Sequence, residues 1–237
     1  LFDTCCFEKP VGYLRESLWS DKPMVYVAVA PPSQRGSYGR GIGALRSHWN
    51  WEGDPRKQVP VVAFSNCKTV ELFLNGNSLG KKSPADSPNH LCRWLVRYQP
   101  GELKAVGTSD DGKTVEYSLN TAGKPDHLEL ITDRKQLASN GEDAANVEVR
   151  LVDDKGVLVP NDDVTCSLQV TGAGQLLSVD NGNLFDTTPL SSSSRKLNNG
   201  RELAVVESSR SHGSIILKVT APGLPDATLK LHSGGIL

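Results

Sequence analysis

The chain of 237 residues carries 26 Lys and Arg against 27 Asp and Glu, a formal net charge of −1 with no block of like charge. That balance excludes the basic footprint of a nucleic-acid binder and the polybasic face of a membrane-surface protein. The longest apolar run, around 23–30, is too short for a membrane-spanning helix, which needs about 20 residues.

The length suits one large domain or two β-sandwiches of about 100 residues each, and two is the better fit. The first residue is Leu rather than Met. A processed start and a piece of a longer chain are both open, so a missing signal peptide carries no information about location.

In chain order, 10–19 places Val11, Leu14 and Leu18 at helical spacing after Pro10, a residue suited to the first helical turn. This is the one convincing helix. After residue 23 the sequence reads in period two, with strands predicted over 24–30, 59–65, 69–75, 91–98, 102–108 and 113–121. Val70, Leu72 and Leu74 alternate with Glu71, Phe73 and Asn75, and Asn75-Gly76 supplies the two positive-φ residues of a tight hairpin. A Gly-, Pro-, Ser- and Arg-rich segment, 31–58, is too long for a hairpin connection and holds Ser47-His48-Trp49-Asn50-Trp51.

Thr121-Ala122-Gly123-Lys124-Pro125 breaks the pattern, and a second series of strands is predicted over 127–133, 146–153, 164–171, 175–179, 203–208, 214–221 and 227–231. Seven short strands between Gly, Pro, Asn and Asp turns point to an immunoglobulin-like sandwich. The serines 191–194 read as a mobile loop, since strands continue beyond them. The expected organisation is 1–23 as a short helical segment, 24–122 as one sandwich and 123–237 as another.

The five cysteines, Cys5, Cys6, Cys67, Cys92 and Cys166, lack C-x-x-C spacing. They read as small apolar thiols, with a Cys67 to Cys92 bridge left open. No G-x-S-x-G elbow occurs, and His48, His90, His127, His212 and His232 have no acidic or cysteine partners at metal spacing. Neither a metal nor another cofactor is expected. Asp180-Asn181-Gly182-Asn183 lacks the repeated acidic ligands of a calcium loop and reads as a turn.

Glu8, Glu16, Glu52 and Glu71 do not sit in stretches that suggest the paired carboxylates of a glycosidase cleft. Trp49 and Trp51, two apart in an extended segment, point the same way. They can stack on a sugar ring or anchor the long loop to the sandwich.

Taken together, Ser47-His48-Trp49-Asn50-Trp51, Ser65-Asn66-Cys67, 70–80, Trp94 and 98–105 resemble the C-terminal region of bacterial β-galactosidases of glycoside hydrolase family 2. Asp133-Arg134, Val152-Asp153, Val159-Pro160, Gly172-Ala173-Gly174 and 179–182 resemble the additional immunoglobulin-like domain of those enzymes. Residues 1–9 and the following helix resemble the last strand-to-helix loop and final helix of their TIM barrel, although a Gly is more usual where Cys6 stands.

The resemblance implies that both catalytic Glu residues lie upstream, so no catalytic residue is assigned here. Cys6, Phe7 and Glu8 would rim the active-site face; carbohydrate contact by Trp49 and Trp51 belongs to the rival reading of a sugar-binding module, with burial in the sandwich as its alternative. The implied role is that of a non-catalytic part of a retaining hydrolase, partnered by an upstream barrel in the same polypeptide and by a β-galactoside or related glycan. A stand-alone carbohydrate-binding module and a purely structural or homodimer-contact pair are the alternatives. The resemblance favours a periplasmic or secreted location.

Overall fold

The computed structural model describes residues 1–31, 44–51, 58–160 and 163–235. Most of the 31–58 connection, Glu52 included, lies outside the described residues. The protein is mainly β, with one α-helix among the described residues, and divides into two compact units. The first comprises residues 1–2 and 8–121, the second residues 3–7 and 122–237.

Unit 1 opens with α1 (Pro10–Trp19), whose proline sits in the first turn and whose end is closed by the Ser20 N–H on the Glu16 carbonyl. Its strands are β1 (Val25–Val29), β2 (Gln58–Ser65), β3 (Thr69–Leu74), β4 (Asn77–Lys82), β5 (Cys92–Arg97), β6 (Glu102–Thr108) and β7 (Thr114–Asn120). They form two antiparallel sheets, in the orders β1-β2-β5 and β4-β3-β6-β7.

One core lies between the sheets, built on Val27, Val61, Val70, Leu72, Leu103 and Trp49. A second, smaller core of Tyr26, Ala28, Phe64 and Leu91 occupies the other face of β1 and β2, with Tyr13 and Leu14 of α1 packed against it. The Tyr13 ring stacks on Tyr26 at 3.8 Å. Burial on both faces explains why 24–30 reads as a continuous apolar run instead of an alternating one.

Asn75 and Gly76 take φ of 51° and 79°, and Leu74 pairs with Asn77 across the turn. β4 was not among the predicted strands: all six of its residues are exposed, so it carries no apolar alternation to read. Asn75 also ties the hairpin to the next strand, because its Oδ1 accepts from the Glu102 N–H at 2.9 Å and its Nδ2 donates to the Pro100 carbonyl at 3.1 Å.

Unit 2 comprises β8 (His127–Thr132), β9 (Gln136–Ala138), β10 (Ala144–Val152), β11 (Thr165–Gly172), β12 (Gly174–Asp180), β13 (Ser194–Lys196), β14 (Arg201–Ser208), β15 (Gly213–Thr220) and β16 (Ala227–Gly234). One sheet runs β12-β14-β10-β8, and the other runs β13-β11-β15-β16-β9 with a parallel β16/β9 pair. Alternating apolar residues such as Val147, Val149, Leu151, Ala204, Val206, Ile215 and Leu217 fill the space between them. The buried Asp153 closes the start of the unit, accepting N–H bonds from Gly123 at 2.7 Å and Val157 at 2.8 Å.

Two of the sequence expectations change. Ser194 opens β13 opposite Ser167, and Ser192 donates to the Ser194 carbonyl at 2.8 Å, so the serine run ends in a paired strand. All five cysteines are free thiols, which removes the Cys67 to Cys92 bridge.

Candidate functional site

Of the residues singled out from sequence, Trp49, Trp51 and Glu8 lie in unit 1, and Cys6 and Phe7 in unit 2. In unit 1, Trp49 is fully buried and its Nε1 donates to the Gln99 carbonyl at 3.0 Å. The Trp49 carbonyl accepts from the Thr121 hydroxyl at 2.8 Å, while its ring meets Tyr98 edge-on at 5.1 Å. Trp51 is half-buried against the same core and lies 4.9 Å from the His48 ring.

Trp49 is thus part of the sandwich core and presents no face to solvent, whereas Trp51 packs against that core with part of its surface exposed. A shallow cleft of about 330 Å³ is lined by Leu74, Asn77, Leu79, Trp94, Arg97 and Gln99. Trp94 is itself buried there. Glu71 is bound by Ser78 at 2.6 Å and lies 3.7 Å from Lys81, an ordinary solvated pairing.

Glu8 follows the 3–7 loop and belongs to unit 1. Its carboxyl is raised above the ordinary range by burial and by Glu16.

In unit 2, residues 3–7 form a closed loop organised by Asp3. Its Oδ1 accepts the N–H groups of Cys5 and Phe7, both at 2.9 Å, and its backbone N–H bonds to the Phe7 carbonyl at 3.0 Å. Closure sets Cys6 at φ 60° with its side chain exposed, the left-handed conformation in which Gly is at ease. The preference for Gly in the resembled loop thus has a local backbone cause. Cys5 points inward, and burial, with Asp180 and Asp3 nearby, pushes its thiol up to about 12. Phe7 is covered by the Arg201 guanidinium, 4.0 Å from the ring centroid. Arg201 and Arg150 share one Glu148 oxygen, at 2.6 and 2.8 Å.

The loop is seated on the 180–182 turn. Burial acts to raise the Asp180 carboxyl, but hydrogen bonds from the Thr4 hydroxyl and from the N–H groups of Gly182 and Asn181 outweigh it and hold the group low. The turn continues as a chain of side-chain bonds, as its Asn and Asp residues allow. Asn181 Oδ1 accepts from the Asn183 N–H, Asn183 Oδ1 from the Phe185 N–H, both at 3.0 Å, and Asp186 Oδ1 from the Thr188 N–H at 2.8 Å.

Beneath it lies the buried Arg195, which donates to Asp186 Oδ2 at 2.7 Å and to the Thr188 and Pro189 carbonyls at 2.7 and 3.0 Å. The sequence reading passed over this residue. It also passed over Glu202, fully buried and faced by the Cys166 thiol. Burial raises Glu202 to about 8, opposed by the Cys166 thiol and the Arg195 guanidinium. A signal existed: Glu202 is in phase with Ala204 and Val206, so strand periodicity alone turns it inward. No group of three or more His, Cys, Asp or Glu placed to hold a metal occurs among the described residues.

The fold is that of two tandem β-sandwiches with a helix at the start. Residues 128–230 match the family described as glycoside hydrolase family 2 C-terminal domain 5, and residues 56–116 match a domain of unknown function, DUF4982. A β-galactosidase of Bacteroides ovatus is 32% identical over 98% of this chain and 25% of its own length. A glycosyl hydrolase family 2 member from Bacteroides cellulosilyticus superposes with a TM-score of 0.89 at 32% identity, covering 97% of this chain and 31% of that one. For a β-glycosidase from Bacteroides vulgatus the values are 0.84, 27%, 98% and 27%. The chain belongs to the C-terminal region of glycoside hydrolase family 2, and it spans about a quarter to a third of the length of these relatives.

Proposed function

We propose that this chain is the non-catalytic C-terminal scaffold of a longer retaining hydrolase that acts on β-galactosides or related β-glycosides. The carrying observation is one of extent: 98% of the chain aligns with only 25% of a β-galactosidase. In this reading the two carboxylates that a retaining glycosidase needs, about 5 Å apart, belong to the upstream part. Residues 1–23 supply the end of the catalytic barrel, its last loop and helix.

The surface of α1 supports this assignment. Leu18 and Trp19 are 51% and 71% exposed, as expected of a barrel helix seen without its neighbours. Cys6, Phe7 and Glu8 then stand at the rim of the barrel's active-site face.

An antibody raised against this chain tests the proposal. In the source cells it should detect a polypeptide far larger than 25.6 kDa. That polypeptide should hydrolyse nitrophenyl β-galactoside or β-glucuronide, and this chain alone should not. A native band at 25.6 kDa, or activity lost on mutating a carboxylate within residues 1–237, would overturn the proposal.

A further inference from the structure

Among the described residues of unit 2 the most exposed large apolar side chains are adjacent: Leu184 is 74% and Phe185 91% accessible. They stand at the tip of the turn described above, and that turn is internally bonded. Asn181 Nδ2 and the buried Arg195 both hold Asp186 Oδ2, at 2.8 and 2.7 Å, and the Asp186 N–H bonds to the Asn183 carbonyl at 3.0 Å. Two apolar groups are thus presented on a pre-ordered support, which lowers the ordering cost of docking.

We infer that Leu184 and Phe185 form a docking knob for the polypeptide preceding Leu1, an inference that rests on the longer-hydrolase reading above. Three observations select this occupant. The 3–7 loop is seated at the base of the same turn, through Thr4 on Asp180 and Asp3 against Gly182. Chain upstream of Asp3 therefore departs within a few residues' reach of the tip, at about 3.5 Å per residue.

The tip's polar side chains are engaged in holding the turn. Asn181 and Asp186 bond within the turn, and the exposed Asn183 commits its Oδ1 to the Phe185 N–H, so these groups serve the support of the loop rather than sugar hydroxyls. A knob of two side chains is also small against the roughly 800 Å² per partner of a stable interface between separate molecules. Within one polypeptide, an effective concentration in the millimolar range makes so small a contact sufficient.

The test replaces Phe185 by the photoreactive p-benzoylphenylalanine in the full-length polypeptide, followed by irradiation, proteolysis and mass spectrometry. The expected product links residue 185 to a peptide upstream of Leu1 in the same molecule. Hydrogen exchange of that peptide should then rise several-fold in Phe185→Ser. Adducts only with a second copy, adducts only with an added β-galactoside, no adduct, or unchanged exchange in Phe185→Ser would each overturn the docking while leaving the longer-hydrolase reading intact. A native polypeptide of 25.6 kDa would instead remove both.

Discussion

The carboxylate of Asp3 occupies the space that a Cβ at Gly182 would need, and Gly182 holds a backbone φ of +72°. Space and conformation therefore both exclude a side chain at this point of the loop's seat. Gly182→Ala is expected to cost roughly 2 to 4 kcal/mol, part from the left-handed backbone and part from the collision. In an Asp3→Ala background only the backbone part remains, about 1 to 2 kcal/mol. Urea unfolding of the four members of this double-mutant cycle reads the difference directly. Equal costs in both backgrounds would mean that Asp3 does not press on the turn.

Cys6 gives the opposite sign. Its φ of 60° disfavours any residue with a Cβ, and its side chain is exposed, so little packing is lost on truncation. Cys6→Gly should stabilise the loop by a few tenths to about 1 kcal/mol, the gain in the left-handed region being partly offset by the greater freedom of glycine in the unfolded chain. A lowered urea midpoint would contradict this.

Glu202 makes stability depend on pH. Its folded value of about 8 lies above the ordinary Glu value of about 4.3. Between those limits the unfolded chain releases a proton that the folded unit retains. The contribution is therefore fully present below the ordinary value and is lost as pH rises through about 8, at no more than about 1.4 kcal/mol per pH unit. Burial sets this rise, and Cys166 and Arg195 oppose it. Glu202→Gln should flatten the profile across this window; an unchanged slope would assign the dependence to other groups.

Trp49 distinguishes an anchor from a ligand platform. Its ring is fully buried and its Nε1 is bonded to Gln99. Trp49→Ala should lower the stability of the chain by about 3 to 5 kcal/mol, and Trp51→Ala, starting half-buried, by less. Adding galactoside should leave the intrinsic tryptophan fluorescence unchanged. Saturable quenching abolished by Trp51→Ala would favour a sugar-binding surface.

Where a residue's environment is set by its immediate neighbours, sequence made it readable. Val70, Leu72 and Leu74 alternate and are buried, and Asn75-Gly76 turns the chain where positive φ was expected. The helix begins at Pro10. The three missed strands lack such a local signature: β4 is wholly exposed, and β9 and β13 are three residues long, defined by their partners.

Long-range relations were the least legible. Nothing near Asp3 in sequence announces Gly182, and Arg195 lies nine residues beyond the Asp186 it holds. Trp49 and Trp51 stood out without their burial being decided, because aromatics at i and i+2 suit a core as well as a platform, although a large side chain in a long loop leans toward the core.

The assignment of residues 3–7 to unit 2 also has a temporal meaning. The turn that receives this loop is synthesised about 175 residues later, which at the usual 5–20 residues per second takes roughly 10 to 35 seconds. Through that interval Cys5 is without the burial that later suppresses its thiolate. The loop is therefore more open to oxidation or alkylation on the ribosome than in the finished protein. Closing so long a loop adds little entropy beyond that of a moderate one, so the cost of this discontinuous connection falls on the waiting chain and hardly on the folded state.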